Sequence, residues 1–259
     1  MKRLIRLSVW SLIGIISVGS VSLTVPAQAE TLVGSNVDNR ITVALRVGQA
    51  AAQGWVPAPW QVQPVPAGPF KKANLFVFFI DRLLNQDAEG KPASRGAFRF
   101  AVLVVPAKHP QTGESAPFVI RIYGPHEGHG PYKNSVQAMV RREATLQGAN
   151  LEPGAGSEVW EVRDSAGGIL EFRMAYQRAV PSRAKQEGKP HSAVDPTFFR
   201  IYRYDQVVDV VQSIPAGIDR VRDYQFRVTV SELGKLFDGT EQLVGIAMIP
   251  WYVRQTFLP

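Results

Sequence analysis

The sequence has no cysteine among its 259 residues. This absence excludes disulfides, thiol catalysis, thiolate metal sites and the lipid anchor of bacterial lipoproteins. The chain also has no Gly-rich phosphate loop, no Gly-x-Ser-x-Gly nucleophile elbow and no paired-carboxylate signature. Phosphoryl transfer and serine hydrolysis are therefore disfavoured. The sequence predicts no cofactor.

Residues 1–29 are typical of an export signal. Basic residues come first, an apolar run without charges follows, and Ala27 and Ala29 form an Ala-x-Ala cleavage site. We predict cleavage after Ala29, which leaves residues 30–259 as a periplasmic or secreted bacterial protein with no stable membrane span. The alternative is a retained anchor, because the apolar run is nearly long enough to cross a bilayer.

Residues 30–259 are predicted to form a single domain. The formal net charge of +7 falls to about +4 once the three basic residues of the signal are removed. The remaining Lys and Arg residues are spread among acidic ones and form no basic stripe, so we predict no nucleic-acid partner. No linker rich in Ser, Gly or charge divides this part of the chain.

Most apolar segments are short, rich in Val, Ile, Phe and Tyr, and separated by Gly, Pro, Asn or Asp, which predicts strands and turns. Residues 74–81 are apolar almost throughout and should form a strand buried on both faces. Residues 165–168 predict a hairpin turn, and the strand after it should bury four side chains on one face. These four are Leu170, Phe172, Met174 and Tyr176. Further strands are predicted at residues 96–107, 116–124, 157–164, 197–211 and 223–230, and in the last stretch of the chain.

Signals for helices are fewer. Residues 41–55 carry Ala and Leu at helical spacing before a Gly, and residues 229–239 contain a Ser cap and end at a Gly. Residues 108–115 and 181–196 are polar and contain Pro and Gly, which predicts loops. So many strands with so few helices indicate an α+β domain that is mainly β.

The order of these elements resembles the acetoacetate decarboxylase-like superfamily across residues 41–253. The likeness is carried by "ALRVGQAAAQGWVPAP", "NLFVFFID", "DSAGGILEFRMAYQR", "DPTFFRIYRY", "VTVSELGKLFDG" and "LVGIAMIPWYV". It implies a cone or barrel-like sheet around a central cavity, with a few short helices.

The sequence departs from this family at the reactive lysine. Decarboxylases of the family keep that lysine in a Gly-Arg-Glu segment followed by Pro-Lys-Lys, where a lowered pKa lets the amine attack a ketone. The nearest segment here, "MVRREATLQGANLEP", has Arg142 and Glu143 but no Pro-Lys-Lys. No position inherits the Schiff-base role, and Lys133 is the nearest upstream lysine that could serve. The catalytic residues are thus unknown, and any activity would be at most lyase-like.

The stretch "IYGPHEGHGPYK" is the densest group of chemically active side chains in the sequence. His126, Glu127 and His129 could ligate a metal, contact a ligand at a cavity rim, or decorate a solvated loop. Because Gly and Pro surround them, a loop is predicted instead of a metal-binding helix. In the family that the sequence resembles, this loop would precede the reactive-lysine segment, so the resemblance implies a ligand contact at the cavity rim and no metal. A metal-dependent enzyme at His126 and His129 is the main alternative.

An arginine facing a cavity would bind a carboxylate through two parallel hydrogen bonds. Arg121 and Arg142 are the candidates for this role, and Glu143 and Lys133 are further candidate ligand-binding residues. Strand alternation places Arg121 on the face opposite Ile120, and the sequence does not show which face is internal. The resulting prediction is an exported protein that binds, and at most transforms, a small carboxylate or partly apolar metabolite. A non-catalytic periplasmic interaction domain is the further alternative, and ligand identity and oligomeric state are not predicted.

Overall fold

The computed structural model describes residues 29–125 and 128–259, which form fourteen strands, one short α-helix and one 3₁₀ turn. The elements in chain order are β1 (Thr31–Arg46), α1 (Gln49–Gln53), β2 (Gln61–Val62), β3 (Leu75–Gln86), β4 (Phe98–Lys108), β5 (Ser115–Gly124), β6 (Ser135–Gln147), β7 (Ala155–Asp164), β8 (Ile169–Gln177), β9 (Ser182–Gly188), β10 (His191–Ser192), β11 (Ile201–Ser213), β12 (Ile218–Asp219), β13 (Val221–Val228), the 3₁₀ turn (Ser231–Leu233) and β14 (Gln242–Leu258).

The strands form one mixed sheet that is not closed. Hydrogen-bonded neighbours follow the order β12-β11-β14-β1-β3-β4-β5-β6-β7-β8-β13, with β2, β9 and β10 attached to β4, β11 and β5. The pairs β5–β6 and β5–β10 are parallel, and the other pairs are antiparallel. The prediction of an α+β, mainly β domain is confirmed.

Strand alternation divides the side chains of the central strands between two environments. In β1, Ile41, Val43 and Leu45 enter the main hydrophobic core, whereas Arg40 and Thr42 face a cavity on the other side. The neighbouring strands repeat this division. The core side buries large residues such as Trp160, Phe79 and Phe172, and it supports the wall that borders the cavity.

The predicted hairpin between β7 and β8 is confirmed. The Asp164 carboxylate accepts hydrogen bonds from the backbone N–H groups of Ala166 (2.9 Å) and Gly168 (2.7 Å), and Gly167 adopts a positive φ of 85°. Only a residue without a side chain adopts that conformation at no steric cost. The four predicted core side chains of β8 are all buried.

Three sequence predictions were wrong in part. Residues 41–46 extend β1, because the alternating Ile41, Val43 and Leu45 side chains have a buried face to fill, and the helix covers only Gln49–Gln53. The helix predicted at residues 229–239 is a single 3₁₀ turn at Ser231–Leu233. The loop predicted at residues 181–196 contains Ser182–Gly188, a polar edge strand paired with β11, and the short β10.

Within the described residues, no helix has the length and apolar character needed to cross a bilayer. Residues 1–28, which include nearly all of the predicted signal peptide, lie outside the part of the chain that the structure describes.

Candidate functional site

A cavity of about 1070 Å³ borders the face of the sheet opposite the main core. Its walls come from alternate residues of β1, β3, β4, β5, β11 and β14 and from the segment before β4. Among the described residues that line it there is no aspartate, glutamate, lysine or histidine. The charged groups on the lining are five arginines: Arg40, Arg82, Arg95, Arg200 and Arg254.

One wall of the cavity is aromatic. Phe76 and Phe78 of β3 stack with ring centroids 6.1 Å apart, and Phe98 and Phe100 of β4 stack at 5.6 Å. These pairs arise because side chains two residues apart on a strand share a face. The wall offers an apolar surface to whatever fills the cavity.

On the cavity lining, Arg40 and Arg82 share one buried carboxylate, and Arg254 adds to its electrostatic environment. Asp38 is fully buried and accepts hydrogen bonds from Arg40 Nε (2.9 Å) and Arg82 Nε (3.0 Å). Burial by itself would raise the pKa of the Asp38 carboxyl, but Arg40, Arg82 and Arg254 together hold that pKa below its ordinary value. The three guanidinium groups and the single carboxylate leave an excess of positive charge beside the cavity.

Arg254 is the least neutralised of these arginines. It is 8% exposed, and its Nε is buried without a hydrogen-bond partner among the described residues. The Arg254 guanidinium lies 3.9 Å from the ring centroid of Tyr202, a cation–π contact. Arg200 Nε is likewise buried and has no hydrogen-bond partner within the described part of the chain. Two arginines whose side chains donate no hydrogen bond to the described residues thus border one cavity.

Two tyrosine hydroxyls meet at the same place. Tyr132 Oη and Tyr202 Oη are 2.6 Å apart, and both side chains line the cavity. Tyr132 lies in the loop before β6, and its backbone carbonyl accepts a hydrogen bond from Ser192 Oγ (2.6 Å). Tyr202 is held by β11, so both rings are fixed by the surrounding backbone.

Comparison with known proteins connects this architecture to solved structures. No family model matches the sequence, and no curated protein matches it. The enduracididine biosynthesis enzyme MppR with bound HEPES superposes with a TM-score of 0.55 at 10% identity, over 87% of this chain and 86% of that one. MppR complexed with pyruvate superposes with a TM-score of 0.54 at 12% identity, over 90% of each chain. An acetoacetate decarboxylase-like enzyme from Sphingomonas wittichii RW1 superposes with a TM-score of 0.52 at 11% identity, over 89% of this chain and 92% of that one.

The protein has the acetoacetate decarboxylase-like fold. The resemblance predicted from the order of elements is therefore confirmed for the fold. At 10–12% identity the likeness shows the fold alone, and the function has to be argued from the site.

In this acetoacetate decarboxylase-like fold, Arg121 lies on the core side of β5. A bulge at Ile120 breaks the alternation, so Arg121 pairs with Leu103 while Val119 pairs with Val104. Arg121 forms an ion pair with Glu232, and its guanidinium lies 5.1 Å from the ring centroid of Trp55. It therefore anchors the 3₁₀ turn to the sheet and does not line the cavity.

Arg142 and Glu143 also lie away from the cavity lining. Arg142 is nearly buried between β3, β6 and β7, where Nη1 donates to Asp81 Oδ2 (3.0 Å) and Nη2 to Glu158 Oε1 (2.7 Å). Glu143 points outward and pairs with the exposed Arg141. Arg142 thus belongs to an internal ion cluster, whereas the adjacent Glu143 lies at the surface.

The histidine loop is described only in part. His129 and Lys133 are exposed, and Lys133 forms an ion pair with Asp195 at 2.8 Å. Neither lines the cavity, and His126 and Glu127 lie outside the described residues. In residues 29–125 and 128–259, no group of three His, Cys, Asp or Glu side chains could hold a metal. Ligand contact at the sequence-predicted residues stays a prediction.

The cavity residues Arg40, Arg82, Arg254, Tyr132 and Tyr202 were not selected from the sequence. Three of them are arginines within strands that also carry apolar residues, as in "NRITV" and "YVRQTF". A charge within a strand whose neighbours are buried is the signal that could have indicated them, because a buried charge requires a partner.

Proposed function

We propose that the protein is exported and binds, in its central cavity, a small carboxylate whose remaining part is apolar. The observation that carries the proposal is Arg254, a guanidinium on the cavity lining that donates no side-chain hydrogen bond to any described residue, in a cavity whose described lining has no acid. A buried charge is costly unless it is paired. A ligand carboxylate would supply the missing partner.

The chemistry of the walls supports this class of ligand. Arg254 and Arg200 present guanidinium donors, which suit the two oxygens of a carboxylate. The stacked phenylalanines on β3 and β4 present apolar surface to the rest of the molecule. A cavity of this size accommodates a metabolite with a branched aliphatic or aromatic part.

The described lining has no lysine, which favours binding through arginines over Schiff-base chemistry. The neighbour MppR has been solved with pyruvate, itself a small carboxylate. That likeness adds a fold-level analogy, whereas the argument for this chain comes from its own arginines.

Replacing Arg254 with Met should weaken binding of isocaproate about tenfold or more, because a charged hydrogen-bond donor typically contributes about 1.5–3 kcal/mol. Isothermal titration calorimetry on the purified protein measures the change. The neutral amide of the same acid, isocaproamide, should bind the unchanged protein much more weakly than the acid. Arg203→Met is the matched control, because Arg203 belongs to β11, pairs with Glu30 and Glu187, and does not line the cavity.

Equal affinity for acid and amide would contradict the carboxylate proposal. So would an Arg254→Met protein that binds isocaproate as well as the control. Absence of binding by isocaproate, pyruvate and larger aromatic acids to the unchanged protein would also reject it.

The exported part of the proposal has its own test. Expression of the full chain in a bacterium with a general secretion system should give a periplasmic form whose intact mass is that of a chain beginning at Glu30. Mass spectrometry of the periplasmic and membrane fractions measures this. A full-length form confined to the membrane fraction would favour the retained anchor.

A further inference from the structure

The hydroxyls of Tyr132 and Tyr202 hydrogen-bond each other, whereas the other two tyrosines of the cavity lining have different partners. Tyr204 donates its hydroxyl proton to Gln186 Oε1 (2.8 Å), and the ring of Tyr252 carries the Arg40 guanidinium 3.4 Å from its centroid. The pair is the place where two weak acids share a hydrogen bond of 2.6 Å at the wall of the cavity. A short hydrogen bond between two phenols lets one of them lose its proton while the other remains a donor.

The charges around Tyr202 favour its ionised form. Arg254 faces its ring from β14, Arg200 comes from the residues just before β11, Arg82 approaches from β3, and Tyr132 donates from the loop. Burial opposes ionisation, but the cations and the hydrogen bond from Tyr132 lower the pKa of the Tyr202 hydroxyl. Burial and the neighbouring Tyr202 raise the pKa of Tyr132. Because Arg254 stacks on the ring of Tyr202, a negative charge is best held on Tyr202, which makes Tyr202 the base of the pair and Tyr132 its donor.

The same cations would hold the carboxylate of a bound ligand. Arg254 both stacks on Tyr202 and lines the cavity as the guanidinium proposed to bind that carboxylate. In an α-keto acid, the carbonyl and the carbon next to it lie within two bonds of the carboxylate. A ligand anchored at Arg254 therefore brings these atoms to the tyrosine pair.

We propose that Tyr202 and Tyr132 form a proton-transfer pair that enolises an α-keto acid bound in the cavity. Tyr202 phenolate takes a proton from the carbon next to the carbonyl, and that C–H bond supplies the electrons of a new C=C bond. The carbonyl π electrons move to oxygen, where the guanidinium groups stabilise the negative charge. Return of a proton from Tyr202 to carbon restores the keto acid, so no co-reactant is consumed. This inference rests on the proposed carboxylate binding.

Deuterium exchange tests the proposal directly. In D₂O, the protein should incorporate deuterium at the carbon next to the carbonyl of α-ketoisocaproate faster than buffer alone does, as followed by proton NMR. Tyr202→Phe keeps the ring under Arg254 and removes only the base, so exchange should fall about 100-fold or more. Tyr132→Phe should shift the rise of rate with pH to higher pH, because Tyr202 loses the donor that stabilises its phenolate.

Tyr224→Phe is the matched control, because Tyr224 packs against Phe172 on the core side and does not line the cavity. Its exchange rate should equal that of the unchanged protein. Calorimetry with α-ketoisocaproate on each variant separates the two proposals. Binding without exchange, or exchange that survives Tyr202→Phe, would overturn proton transfer and leave carboxylate binding intact. Absence of binding would overturn both.

Discussion

Replacing Asp38 with Asn is expected to lower the free energy of unfolding by about 3–5 kcal/mol, because it leaves buried cations without their carboxylate. Asp38 has no exposed surface and accepts hydrogen bonds from Arg40 Nε and Arg82 Nε. Arg254 contributes to the same electrostatic group. An asparagine keeps the shape of the side chain but removes its charge, so three guanidinium groups would repel one another without compensation.

Urea unfolding monitored by tryptophan fluorescence measures this loss. Asp195→Asn is the control, since Asp195 pairs with the exposed Lys133 near the surface, and its midpoint should not change measurably. An Asp38→Asn protein that unfolds at the same urea concentration as the unchanged protein would show that the arginines find sufficient solvation from the cavity.

The same carboxylate makes stability depend on acid pH. The pKa of Asp38 in the folded state lies below its ordinary value of 3.8. A depressed pKa contributes stability that is present above the unfolded value and is lost as pH falls through the folded value. The Asp38→Asn protein should therefore lose less stability than the unchanged protein as pH falls below about 3.8.

Asp38 also limits how strongly the cavity attracts anions. Removing its charge increases the positive potential beside Arg254, so isocaproate should bind Asp38→Asn more tightly than the unchanged protein. Ligand that binds only the folded form would then recover part of the lost stability. Asp38 thus has two opposite effects. Its carboxylate stabilises the folded state, but it also lowers the positive potential that attracts the ligand carboxylate.

Much of the fold could be predicted from local pattern. The β7–β8 hairpin combines a turn sequence with alternation on both sides, so its register and buried face follow from neighbouring residues. Residues 41–46 were different, because Ala and Leu at helical spacing and Ile41, Val43 and Leu45 at strand spacing occupy the same segment. The segment is a strand because it pairs with both β3 and β14.

The candidate site could not be predicted in the same way because it depends on register between distant strands. Asp38 lies opposite Arg82 in the β1–β3 pair, and Tyr204 lies opposite Arg254 in the β11–β14 pair. These partners are separated by tens of residues in sequence. For Arg121, a single bulge at Ile120 changed which face the side chain occupies, and such a bulge has no clear pattern in "FVIRIYG".

Replacing Arg142 with Met is expected to cost about 3–5 kcal/mol of unfolding free energy, because the buried Glu158 loses its cation and the buried Asp81 keeps only the weaker contact with Arg99 in the described structure. Arg142 Nε and Nη2 donate to Glu158 at 3.0 and 2.7 Å, and Nη1 donates to Asp81 at 3.0 Å. Glu158 would keep only the donor Trp160 Nε1 at 3.1 Å among its side-chain contacts in the described structure. Urea unfolding measures the loss.

Arg141→Met is a closely matched control, because Arg141 is the adjacent residue of β6, is exposed, and pairs only with Glu143 among the described residues. Its unfolding midpoint should not change measurably. Arg142 does not line the cavity, so any folded Arg142→Met protein should bind isocaproate with unchanged affinity. Weakened binding without lost stability would mean that Arg142 acts on the ligand, as expected if it were the carboxylate-binding arginine considered from the sequence. Lost stability with intact binding would mean that Arg142 stabilises the fold by linking β6 to Asp81 of β3 and Glu158 of β7.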